Sequence, residues 1–176
     1  LMYLIVFSSW IIVSYQLPVY IIPIAMFSIL LTVLLDTTVS LISSTILILL
    51  VSLLIGNDLD FAIIQFFISF IAILSVRKLR KRRQIIATML TLVMCSLFVF
   101  FSVMLFKGID FLDYNYSTVG YLALSSFLCP ILAFGLVPLF ESFFGITTDL
   151  SLIELLDYDQ PLLKKLMEDA PGTHTH

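Results

Sequence analysis

Few side chains in this chain could bind a metal, move a proton or attack a substrate. His174 and His176 close the sequence as Thr173-His-Thr-His176. Imidazole is a good transition-metal ligand, but one or two fall short of the three or four donors that a site needs. Taken alone, His176 is therefore a terminal side chain without a role. Cys95 and Cys129 both sit inside apolar runs, with neither zinc spacing nor a disulfide framework around them, and read as small hydrophobes. Asp36, followed by Thr37 and Thr38, reads as a turn and helix cap rather than an ion ligand. Glu141, three residues after Pro138, reads as an anchor at the edge of an apolar run. The competing role for Pro138 and Glu141 is coupling of a signal, or contact with a partner. Six of the nine Lys and Arg residues fall together as Arg77, Lys78, Arg80, Lys81, Arg82 and Arg83. Such a run is a topology determinant and an anionic-lipid contact before it is a nucleotide site.

The elements that must position these groups are dictated by composition. Of 176 residues, 61% are hydrophobic and only 12% charged, where soluble domains carry roughly a quarter charged. Lipid must face much of such a surface, and the expected fold class is an all-α polytopic transmembrane bundle. A helix needs roughly 20 apolar residues to cross a hydrocarbon core. The apolar runs divide into six spans at about 1–15, 18–35, 37–56, 59–76, 84–106 and 117–140. Residues 18–56 as one helix would reach about 58 Å, nearly two membrane thicknesses, so the chain must turn back at Asp36. Pro18 suits a first helical turn, and Pro23 predicts a kink. Pro130 predicts either a kink or a hinge in the last span. Gly56-Asn57-Asp58 is a turn signal, and Gly145 a helix stop. The transmembrane domain is expected over 1–146.

The positive-inside rule puts the basic run in the cytoplasm. Alternation then places Asp36 and the tail on that side, and the turns near Gln16, Asp58 and Asp110 outside. Lys164 and Lys165 agree with a cytoplasmic tail, and Tyr114 and Tyr116 with an interfacial aromatic belt. Over 147–176 the pattern changes to short amphipathic helices, with Pro161 opening one whose apolar face is Leu162, Leu163, Leu166 and Met167. The first run lacks a basic leader and a cleavage site, so it does not read as a signal peptide, and the chain is expected to be a piece of a longer protein.

The stretch Pro138-Leu-Phe-Glu141, Phe144-Gly-Ile-Thr-Thr148, Leu152-Ile-Glu-Leu155, Gln160-Pro-Leu-Leu-Lys-Lys-Leu166 and Glu168-Asp-Ala-Pro-Gly-Thr173 resembles the bacterial seven-transmembrane receptors with an intracellular HD hydrolase domain. Tyr20-Ile-Ile-Pro23 and the basic run are similar to that family too. The resemblance implies an external sensory domain, seven spans, and a cytoplasmic phosphohydrolase whose start is the amphipathic tail. It implies hydrolysis of cyclic di-AMP to a linear dinucleotide at two divalent transition-metal ions, iron or manganese. Two cations suit a phosphodiester because one activates hydroxide while both stabilise charge on the oxygens. The family motif is a His, then a His-Asp pair, then a later Asp. His176 falls at the first His; His174 takes no ligand role, and this chain carries no catalytic residue itself. The chain departs from the family in having six spans and neither the pair nor the later Asp. The implied partners are the lipid bilayer, a cyclic dinucleotide for the parent protein, an external ligand not specified by sequence, and a second copy in a homodimer. The implied location is the bacterial inner membrane. The alternatives from the residues alone are a small transporter or channel, and a passive anchor. The spans offer transport little beyond Ser, Thr and Gln65.

Overall fold

A computed structural model describes residues 2–77, 83–108 and 116–145. All the regular structure there is helical: α1 (Met2–Ser14), a 3-10 turn (Val19–Ile21), α2 (Ile24–Leu34), α3 (Thr37–Ile55), α4 (Leu59–Val76), α5 (Arg83–Phe106) and α6 (Tyr116–Phe144). By length and composition, α3, α4, α5 and α6 are each long and apolar enough to cross a membrane, whereas α1 and the Val19–Leu34 stretch are shorter.

The boundaries follow from local chemistry. Asp36 N-caps α3, its carboxylate accepting from the Thr38 N–H at 3.3 Å. α3 stops at Gly56, which takes φ +105°, with Asn57 beside it at φ +66°. Two successive left-handed residues favour Gly and Asn, and here they reverse the chain. Asp58 then caps α4, accepting from the N–H groups of Asp60 and Phe61 at 3.0 and 3.2 Å. Ser52 donates to the Asp58 carbonyl at 2.9 Å and so pins the turn to α3.

The second apolar run differs from the expected continuous helix over 18–35. Pro18 precedes the 3-10 turn, and Pro23 stands at the N-cap of α2 rather than inside it. A proline at 23 lacks the N–H that helix continuity requires, and its ring excludes a helical carbonyl four residues earlier. What remains is an 11-residue helix, about 16 Å long, half a hydrocarbon core. It is nonetheless central, packing against α3, α4 and α6. Ile24, Ala25, Phe27, Ser28, Ile29 and Leu30 are all buried on it. Around it α5 packs on α4 and α6, and α1 on α3.

The bundle is apolar outside and carries hydroxyls inside. Met94 and Phe98 on α5 are 63% and 74% exposed, while Ser28, Ser40, Ser44, Ser69 and Ser96 are buried. In water this arrangement is upside down; in hydrocarbon it is the stable one, since lipid chains are as apolar as Leu. Small hydroxyl residues let helices approach and hydrogen-bond. Between α2 and α3 they form a ladder. Ser28 and Ser44 hydroxyls are 2.8 Å apart, Ser40 donates to the Ser28 carbonyl at 2.7 Å, and Thr32 donates to the Ser40 hydroxyl at 2.9 Å.

Candidate functional site

The features that bear on function lie at the two ends of the bundle and in the helix that joins them. Because α3 and α4 run antiparallel, the Asp36 turn and Arg77, the C-cap of α4, share one end. The Asp36 carboxyl is held below the usual carboxylate range, first by the backbone N–H groups of Thr37 and Thr38 and further by the Thr38 hydroxyl and the Arg77 charge. The remaining basic residues expected at this end, Lys78, Arg80, Lys81 and Arg82, lie outside the described residues. Arg83 opens α5, but its side chain is likewise not described.

At the opposite end Asp60, in the first turn of α4, pairs with Lys107 just past α5. Both groups are partly solvent-exposed, so the pair contributes orientation more than energy. Beneath it sits a buried aromatic cluster: the Tyr20 ring tilts against Phe61 of α4 at 5.9 Å and meets Phe100 of α5 edge-on at 6.0 Å. Sequence reasoning missed this cluster. The proline pair 18 and 23 brackets the segment, but the pair alone does not say that the chain leaves α-helix between them; the packing of Tyr20 does.

α6 connects the two ends. It runs without a break through Pro130 and Pro138 to Phe144 and stops at Gly145, which has φ +64°. Pro130 is buried on the face that also carries Leu122, Ser126, Cys129, Ala133 and Val137, whereas Pro138 is exposed and Glu141 half-buried. Each proline leaves a carbonyl four residues earlier, at Ser126 and Phe134, without its intrahelical donor. Helix thus continues past Glu141, beyond the span boundary expected at 140, and carries Pro138 and Glu141 on one continuous element.

Among the described residues no group of three or more His, Cys, Asp or Glu comes together to hold a metal ion. His176 and the amphipathic tail over 147–176 lie outside the described residues. The described part of the bundle therefore does not fit a metal centre.

A family model described as a 7TM receptor with intracellular HD hydrolase matches residues 1–148. The chain belongs to this family. Two relatives carry the name cyclic-di-AMP phosphodiesterase PgpH. The protein from Bacillus subtilis is 29% identical over 164 residues, covering 89% of this chain and 23% of the relative. The one from Listeria monocytogenes is 47% identical over 58 residues, 33% of this chain and 8% of that protein. The chain thus spans less than a quarter of either relative. No solved structure matches it. The match over 1–148 takes in the whole described bundle, so α1 to α6 are the membrane part of the receptor architecture.

Proposed function

We propose that this chain anchors a receptor-like HD phosphohydrolase in the bacterial inner membrane and relays an external signal to it through α6. The observation that carries the reading is α6 itself: one helix of 29 residues, about 43 Å long, reaching from the Lys107 end of the bundle to the segment where the hydrolase begins. Residues 1–146 serve as the membrane domain and 147–176 as the linker and first helix of the HD domain. The basic run from Arg77 to Arg83 and the tail face the cytoplasm, because Lys and Arg are retained on that side. Those same six basic side chains contact anionic headgroups.

The substrate of the parent protein is cyclic di-AMP, the molecule named in both relatives, and a metal dependence follows from the HD family. We assign His176 as the first metal-binding His of the motif, with iron or manganese as the ions, and Pro138 and Glu141 as the contact between bundle and hydrolase. An external ligand acts from the Asp60–Lys107 side, and two copies associate as a homodimer.

The test is cyclic di-AMP hydrolysis by the full-length protein in membranes, with and without His176→Ala. Hydrolysis that falls about 100-fold or more in the variant, with unchanged membrane insertion, supports the assignment, since loss of even an outer-shell partner of a metal ligand costs about 10–100-fold. Hydrolysis untouched by the substitution removes His176 from the site, and absence of hydrolysis in the parent removes the activity. Ion flux through the reconstituted chain that depends on Asp36 would replace the reading with transport.

A further inference from the structure

The mid-bundle contact between α2 and α6 joins two proline-interrupted elements. α2 begins only after Pro23, so its first N–H groups have no preceding helical turn. The Met26 backbone N–H, within that first turn, faces the sulfur of Cys129 on α6. Cys129 is 2% exposed, and the Ser125 hydroxyl lies 3.8 Å from its sulfur. The next residue is Pro130, also buried. The end of the interrupted helix therefore abuts α6 at the point where α6 has lost one of its own hydrogen bonds.

The half-bundle on the Lys107 side is completed by residues 18–23, which are not α-helical. Non-helical backbone is stable at membrane depth only where protein encloses it. Enclosure is what the structure shows: Tyr20 is 8% and Ile22 1% exposed. The 3-10 turn packs on α6 and α1, while Tyr20 inserts its ring between Phe61 and Phe100. Such a segment has few backbone bonds of its own: two run within it, Ile21 to Pro18 at 3.1 Å and Ile22 to Val19 at 3.2 Å, and a third, from the Ile24 N–H to the Ile22 carbonyl at 2.9 Å, joins it to α2. Its position is set by packing, and packing has discrete alternatives in a way that a hydrogen-bonded helix does not.

We propose that residues 18–23 form a plug whose seating in the Phe61–Phe100 pocket sets the angle that α6 adopts at Pro130, transmitted through the contact of α2 with Cys129. The plug is then the part of the membrane domain that reads the external side, and α6 below Pro130 is the output arm. This rests on the relay reading above and specifies its path. Two states of the plug, differing in affinity for whatever acts from outside, meet the requirement for a coupling free energy between separate sites.

Spin labels at Tyr121→Cys and Leu139→Cys, both exposed positions on α6, bracket Pro130 at a helical separation of about 27 Å. The background is Cys95→Ser with Cys129→Ser, which keeps an acceptor opposite Met26. In lipid nanodiscs, Tyr20→Ala should shift the pulsed dipolar distance distribution, and adding Pro130→Ala, which restores the Ser126 bond, should abolish that shift. Tyr20→Leu, which retains an apolar filler, gives the same readout should Tyr20→Ala fail to fold. A distribution for the Tyr20 variants that superimposes on the parent, or a shift that survives Pro130→Ala, overturns the proposal. In the full-length protein, Tyr20→Ala should change cyclic di-AMP turnover about 5-fold or more, and Pro130→Ala should cancel the change. Lack of turnover in the parent sinks the hydrolase reading alone, because the distances still decide the coupling.

Discussion

Asp36 shows how much a single exposed carboxylate does in this chain. It ends one apolar run and starts another by accepting the Thr38 N–H, and its pKa is lowered chiefly by the Thr37 and Thr38 amides. A group whose folded pKa is depressed stabilises the fold above its unfolded pKa, and that contribution is lost as pH falls through the folded value. Acidification below the carboxylate range should therefore lower the unfolding midpoint in detergent, and Asp36→Asn, which keeps a capping oxygen, should flatten that part of the profile. Ser28 and Ser44 make a different kind of contact, hydroxyl to hydroxyl in a buried seam. Interhelical bonds of this sort average about 0.6 kcal/mol. A double-mutant cycle of Ser28→Ala and Ser44→Ala should return a coupling of that size, and a coupling near zero would leave the seam as shape alone. Phe61 is fully buried against Tyr20, and Phe61→Ala should cost about 3–5 kcal/mol in denaturant unfolding.

At the scale of elements, the turns were legible because their chemistry is local. Asp36, Gly56-Asn57-Asp58 and Gly145 each announce a boundary through a cap or a left-handed residue, and the structure uses all three in that way. Pro18 and Pro23 were misleading. Proline at the start of a helix and proline inside one look alike in sequence, and only the packing of Tyr20 decides that the chain abandons α-helix between them. Pro138 and Glu141 were legible as a pair near the end of the last span. That α6 continues to Phe144 follows from Gly145, since nothing before it stops the helix, although the membrane span was expected to close at about 140. The hydroxyl ladder escaped sequence reading because Ser and Thr in apolar runs carry no sign of which helix they face. The same element-level logic makes α6 sensitive to its prolines. Pro138→Ala should stiffen the exposed end of α6, the new amide at position 138 donating to the Phe134 carbonyl and showing hydrogen-exchange protection, while protection around Ser126 stays as it was.

For the molecule as a whole, the account depends on hydrocarbon around the bundle and on which end of it faces the cell interior. The first requirement follows from an exterior of Leu, Ile, Met and Phe over a hydroxyl-bearing core. Met94 lies near the middle of α5 and is exposed, so Met94→Arg should oppose insertion by about 2.5–3.5 kcal/mol, read as a lower membrane-inserted fraction. The second requirement separates the Asp36–Arg77 end from the Asp60–Lys107 end, and the basic run chooses between them. A single cysteine at Lys81, with Cys95 and Cys129 replaced by serine, reports the side directly through a membrane-impermeant maleimide. The proposed orientation predicts no labelling on intact cells and full labelling once the membrane is permeabilised. Labelling of intact cells would put the hydrolase outside, away from an intracellular dinucleotide, and would contradict it.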